Sequence, residues 1–190
     1  MNIEKLANQA YDNAVEKGFE LTDDRLEENL NKAIGELDEA QRHIDSSGDE
    51  AWQEVSNYSN MSDLNNTADM EIIDCYIRLL SIAYSLDIDF KETVISRMAS
   101  ATSKRCYSFP SFSLYITKLI SSVISYDITT GVNVSPHLIL SAISAIQYWC
   151  ENVRDVDIWW LVKIKMEYNK TRPYLHGNKV RTPTGGVLEV

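Results

Sequence analysis

At 190 residues and 44% hydrophobic content, the chain has enough apolar surface for a packed interior of one domain or two small halves, which excludes disorder over most of its length. Its formal charge of −10 excludes a general nucleic-acid binder, which needs a basic stripe to neutralise phosphates. No apolar run approaches the roughly 18 residues that span a membrane. Cys75, Cys106 and Cys150 lie far apart with no Cys-x-x-Cys spacing, so buried free thiols in a reducing cytoplasm are expected, without a signal peptide, disulfide framework or zinc site.

Residues 3–17 carry Ile3, Leu6, Ala7, Ala10, Tyr11 and Ala14 at helical spacing, and Gly18 stops the stripe. Phe19 and Leu21 form a connection, after which Asp23 or Asp24 is expected to cap a second helix. Its stripe is Leu26, Leu30, Ala33, Ile34, Leu37, Ala40 and Ile44, and it ends near residues 45–48. A long polar connection to Thr67 holds Trp52 and Tyr58. From Asp69 to Leu86 the sequence is apolar on nearly every face, as a central buried helix requires. A further helix to about Lys104 follows the Asp87-Ile88-Asp89-Phe90 punctuation. Beyond the Phe109-Pro110 break, helices are predicted at about 111–126, at 136–153 behind the Ser135-Pro136 start, and at 157–171 before Arg172-Pro173. The tail at 180–190 is expected to be loose, and no strand pattern of useful length occurs. The fold class is all-α.

Two of these helices carry acids in an informative place. Glu36 and Glu39 lie beside the apolar stripe of the second helix, at the edge of the core, while Glu71 and Asp74 are the only acids between Asp69 and Asp87 on the buried helix. In each pair the residues are three apart, so both project from one face. If the two helices pack together, four carboxylates converge, and such a cluster requires cations. Hard divalent ions fit oxygen ligands, Mg²⁺ first and Mn²⁺ as its substitute, and Mg²⁺ usually arrives with phosphates. Arg78, four residues after Asp74, is a candidate internal partner. Asp38 and Asp69 are left out of the site.

The chain also resembles itself at a shift of 68 residues: residues 87–90 fall on 155–158, Arg97-Met98 on Lys165-Met166, and Lys104 on Arg172. A shift of 86 places Glu36 and Glu39 on Ser122 and Ser125. The first half then keeps the acids and the second has lost them. On this division residues 1–105 form a catalytic helical half, 106–179 a second half packed on it, and 180–190 a tail. Residues 106–156 read either as that degenerate repeat or as an insertion.

Gly35-Glu36-Leu37-Asp38-Glu39-Ala40, then Glu71-Ile72-Ile73-Asp74, then Lys165 through Arg172-Pro173-Tyr174-Leu175-His176-Gly177, is a combination that resembles the MazG-like all-α nucleoside triphosphate pyrophosphohydrolases, particularly bacteriophage forms. The dimeric dUTPases and the dCTP pyrophosphatases belong to the same superfamily. The similarity covers about residues 1–105 and 157–179; in simpler relatives the Lys/Asn/Arg segment directly follows the helix after the second acidic pair, a place held here by Arg97, Ala101 and Lys104. The resemblance implies a helical bundle of the all-α NTP pyrophosphatase type. It implies Mg²⁺-dependent hydrolysis of a (deoxy)nucleoside triphosphate to the monophosphate and pyrophosphate, for nucleotide-pool control. Glu36, Glu39, Glu71 and Asp74 would hold the metal and carry the catalysis, and the chemistry leaves one carboxylate not fully engaged with metal, Glu39 as first choice among the four, to orient the water. Lys165, Asn169, Arg172 and His176 would bind substrate. A homo-oligomer, a dimer first, is implied, in the cytoplasm (the host's, for a phage-encoded chain).

Bland readings stand beside these. Glu36 and Glu39 alone fit a solvated helix face, and Lys165, Asn169 and Arg172 an ordinary charged helix end. His43 shares a face with Glu36 and Glu39, as exposed histidines often do, and His137 is structural. Trp52, Tyr58 and Phe19 can stack on a base or simply pack; Trp149, Trp159 and Trp160 belong to core or interface. The competing functions are a catalytically silent helical nucleotide-binding or assembly module and a nucleotide-binding regulator without turnover.

Overall fold

A computed structural model describes residues 2–52, 67–90, 108–130, 136–172, 180–181 and 187–188. The fold is all-α, with six α-helices among the described residues. Helix α1 spans Ile3–Glu16. Asn2 caps it by accepting from the Glu4 and Lys5 amides, and Gly18, at φ 84°, turns the chain out of it. Helix α2 (Leu26–Ser47) is entered differently from the expectation. Asp23–Arg25 form a 3₁₀ turn that runs straight into it, and neither aspartate caps it; the residue at the cap is Arg25, without a side-chain capping bond. A continuous tightened turn leaves no extended residue from which a carboxylate could reach back to the first amides.

Helix α3 (Ala68–Ser85) starts at Thr67, whose hydroxyl accepts from the Met70 amide. It is the centre of the molecule, packing on α1, α2, α5 and α6 and burying Ile72, Ile73, Tyr76, Leu79, Leu80 and Ala83. A central helix has no solvent-facing stripe, which is why its sequence is apolar all round. Helix α4 (Phe109–Thr130) packs on α2 and on α5 (Pro136–Tyr148). The expected helix to 153 instead changes to a π-turn at Trp149–Val153. Helix α6 (Ile158–Thr171) begins at Asp157, which accepts from the Trp160 amide, and crosses α3 and α1. One hydrophobic core runs from Leu6 to Met166 through all six helices. No helix among the described residues is long and apolar enough to cross a membrane.

Four observations refine the expectations. Cys75 and Cys150 are buried free thiols, while Cys106 lies outside the described residues. The tail contains a short antiparallel pair, Val180–Arg181 with Val187–Leu188, flanking a sequence rich in turn residues (Pro183, Gly185, Gly186). The helix expected up to Lys104 falls outside the described residues. Finally, Asp87 and Asp155, 68 residues apart, have φ of 53° and 54° and are the only non-glycine residues with positive φ among those described. Each follows an 18-residue helical stretch, 68–85 and 136–153, and aspartate is among the few side chains that tolerate this backbone.

Candidate metal centre and phosphate-binding cavity

The acids come together because α2 and α3 present matching edges. On α2 the stripe Leu30, Ala33, Leu37 and Ala40 is fully buried against α3; Glu36 lies between Ala33 and Ala40 on the same side and is 8% exposed. On α3 Glu71 and Asp74 share the face turned toward α2 and α6. Carboxylate oxygens of Glu36, Glu71 and Asp74 all lie within 4.8 Å of one another. Asp69 faces elsewhere. Five positions before Asp74 on a 100° helix, it points to the opposite quadrant, where Arg154 grips both its oxygens at 3.1 Å. Its exclusion from the site follows from that geometry.

Each clustered acid has a nitrogen-bearing side chain from a different helix beside it. Arg78 Nε donates to Glu36 Oε1 at 2.6 Å, Lys165 Nζ lies 2.8 Å from Asp74 Oδ2, and His43 Nε2 lies 3.4 Å from Glu71 Oε1. Arg78 was expected to serve Asp74. It reaches across to α2 instead, because Lys165 from α6 already occupies the Asp74 carboxylate at only 1% exposure. His43 is correspondingly more than an exposed surface residue: two turns beyond Glu36, it covers the Glu71 end of the cluster.

Burial dominates the electrostatics. Desolvation pushes the Glu71 carboxyl up to about 8, with Lys165 opposing the rise and the Asp74, Glu36 and Glu39 carboxylates adding to it. Glu36 is also raised by burial, an effect opposed by Arg78 and reinforced by Asp74. The Cys75 thiol, behind the cluster in the core, is raised by burial and by the Glu36 charge, which keeps it a neutral packing group.

The acids form one wall of a cavity of about 310 Å³. Helix α6 supplies the facing wall through Lys165, Asn169 and Arg172, spaced at i, i+4 and i+7 on one face. Helix α1 and its connection close an end with Asn13, Lys17 and Phe19. Lys17 Nζ donates to the Lys170 carbonyl at 2.8 Å and ties α1 to the end of α6. Tyr168 lies beside the basic wall, with its ring centre 5.8 Å from Lys165 Nζ and 6.0 Å from Arg172 Cζ.

Seven of the eight residues singled out in the sequence line this cavity: Glu36, Glu39, Glu71 and Asp74, with Lys165, Asn169 and Arg172. Glu39 stands apart within the set. Its side chain is half exposed at the rim and paired with Arg42 at 3.1 Å, outside the three-acid cluster. His176 lies outside the described residues. Among the aromatic candidates, Phe19 is in the cavity wall. Trp52 belongs to a separate aromatic cluster with Phe109 and Trp149, under the Arg154 guanidinium at 4.4 Å. Tyr58 lies outside the described residues.

An all-oxygen donor set on two rigid helices suits Mg²⁺ or Mn²⁺ and disfavours softer metals. Beside a basic wall with guanidinium and ammonium groups, the arrangement can accept a metal-bound polyphosphate. Comparisons with protein-family models, with curated proteins and with solved structures find no match to this chain.

Proposed function

We propose that the chain is a Mg²⁺-dependent nucleoside triphosphate pyrophosphohydrolase of MazG-like type, acting on a (deoxy)nucleotide pool. One observation carries the reading: three carboxylates from two helices converge to within 4.8 Å on the wall of a cavity that faces Lys165, Asn169 and Arg172. Glu36, Glu71 and Asp74 fit the metal ligands. When bound, Mg²⁺ neutralises phosphate oxygens and makes a coordinated water more acidic.

The chain's own residues do the rest. Arg172 binds phosphate oxygens with two parallel donors and Lys165 with a single compact charge. Asn169, one turn from each, bonds sugar or phosphate. Glu39, at the rim and outside the cluster, takes the proton from a water that attacks the α-phosphorus. The α–β phosphoanhydride bond breaks, the β-phosphate oxygen leaves with its electron pair, and monophosphate and pyrophosphate result. The division into a catalytic half and a degenerate second half is part of this proposal, supported by the matched left-handed aspartates at 87 and 155. So is a homodimer, which sedimentation tests.

A second reading has its own support. Each of the three acids already has a side-chain partner in Arg78, His43 or Lys165, a pattern that also suits a catalytically silent nucleotide-binding or assembly module. Release of pyrophosphate from a panel of triphosphates with Mg²⁺ separates the two. The enzyme reading predicts pyrophosphate from at least one triphosphate and its loss in Glu71→Gln. Activity that survives that substitution removes these acids from the mechanism, and no turnover on any triphosphate favours the silent module.

A further inference from the structure

Lys165 occupies a position that a divalent ion would need. Its ammonium is 2.8 Å from Asp74 Oδ2 and nearly fully buried, and it presses on the same cluster that gathers the Glu36 and Glu71 oxygens. An ammonium proton and a metal ion compete for the same carboxylate lone pairs. Two like charges in a partly desolvated cavity also repel strongly. A metal ligated by Asp74 therefore requires Nζ to withdraw. The lysine stem has four rotatable methylenes and a single-point charge, so the head can move without disturbing α6.

The charge balance says when it moves. The three clustered carboxyl groups face two cationic side chains, Arg78 and Lys165, so the site carries at most one net negative charge, less than a single divalent ion's charge. A metal entering alone overturns that balance. A triphosphate entering with it restores the balance and offers Nζ new oxygens, in the cavity that Lys165 already lines with Asn169 and Arg172.

Resting on the functional reading above, we propose that Lys165 is an internal counter-ion that blocks Asp74 against divalent cations until an anionic triphosphate takes over its ammonium, so that metal and nucleotide bind as a coupled pair. The device prevents the acids from filling with free metal and links ligation to the presence of substrate. Lys165 thus has two successive partners, Asp74 and then phosphate.

The test is Mn²⁺ binding to the full chain by titration calorimetry, with and without an α,β-methylene triphosphate, after subtraction of metal binding to the free analogue. The unaltered chain should bind Mn²⁺ about tenfold or more tightly with the analogue than alone. Lys165→Met should bind Mn²⁺ alone about tenfold or more tightly than the unaltered chain and lose most of the coupling. If Lys165→Met is unfolded without metal, Lys165→Arg serves: it keeps a positive charge on a larger head and should bind Mn²⁺ alone no more tightly than the unaltered chain. Equal Mn²⁺ affinity with and without analogue overturns the coupling, as does Lys165→Met binding no more tightly or Lys165→Arg binding more tightly, and each of these leaves the enzyme reading standing. An unaltered chain that binds no Mn²⁺ under either condition removes both.

Discussion

Replacing Glu71 by glutamine should flatten the dependence of stability on pH across the neutral range. An ordinary glutamate titrates near 4.5, and burial holds Glu71 near 8 in the fold. Below about pH 4.5 the carboxyl is protonated in both folded and unfolded chains and contributes no pH dependence. Between 4.5 and 8 the unfolded chain has lost the proton that the folded chain keeps, so folding takes up a proton and stability falls as pH rises. The slope approaches 1.36 kcal/mol per pH unit, and across the window the loss is on the order of 4–5 kcal/mol. Above pH 8 it levels off. Glutamine has the same shape and no charge, so Glu71→Gln should match the unaltered chain near pH 4.5 and exceed it by several kcal/mol at pH 8.5. Urea denaturation at five pH values measures this, and Mg²⁺ supplied together with a non-hydrolysable triphosphate at pH 8.5 should restore stability to the unaltered chain but much less to the variant. Parallel stability curves for the two proteins would refute the reasoning, because Glu71 would then be solvated as an ordinary surface acid.

Other substitutions probe features outside the cluster. Arg154→Ala should cost about 3 kcal/mol in chemical denaturation, since it leaves the Asp69 carboxylate buried without its two-pronged partner, yet it should leave triphosphate turnover of the folded protein intact. Tyr76→Phe should be neutral or stabilising by up to about 1 kcal/mol, because the Tyr76 hydroxyl is buried with no hydrogen-bond partner among the described residues; a loss of stability in thermal melts would reveal a partner for it. Gly35→Ala should add about 0.5–1 kcal/mol, as the position is mid-helix and an added Cβ meets nothing within 4 Å among the described residues. A destabilised variant would mean that the α2 surface at Gly35 is covered.

Much of the fold was legible because its driving force is one-dimensional. Stripes such as Leu26, Leu30, Ala33, Leu37 and Ala40 report a helix and its buried face directly, and the all-round apolar run at 69–86 could belong only to a central helix. The acids at 71 and 74 stood out for the same reason, as charges where no solvent face exists. What stayed illegible depends on how the helices meet. The sequence gives Arg78 as the nearest cation to Asp74, but α6 brings Lys165 closer in space, and Arg78 then serves Glu36. The role of His43 depends on the rotation of α2 against α3, which no local pattern sets. That same rotation leaves Glu39 at the rim while Glu36, three residues earlier, is buried. The spacing already puts His43 on the face of Glu36, two turns further on; only the packing gives it a partner. The π-turn at Trp149–Val153 carries no sequence signal of its own, because one extra residue in a turn leaves composition unchanged.

The most direct measurement of the central claim is anomalous diffraction from crystals grown with Mn²⁺ and a non-hydrolysable triphosphate. The account predicts a manganese peak bounded by the carboxylates of Glu36, Glu71 and Asp74, with phosphate oxygens between it and Arg172. Manganese bound elsewhere, with Lys165 still seated on Asp74, would contradict it.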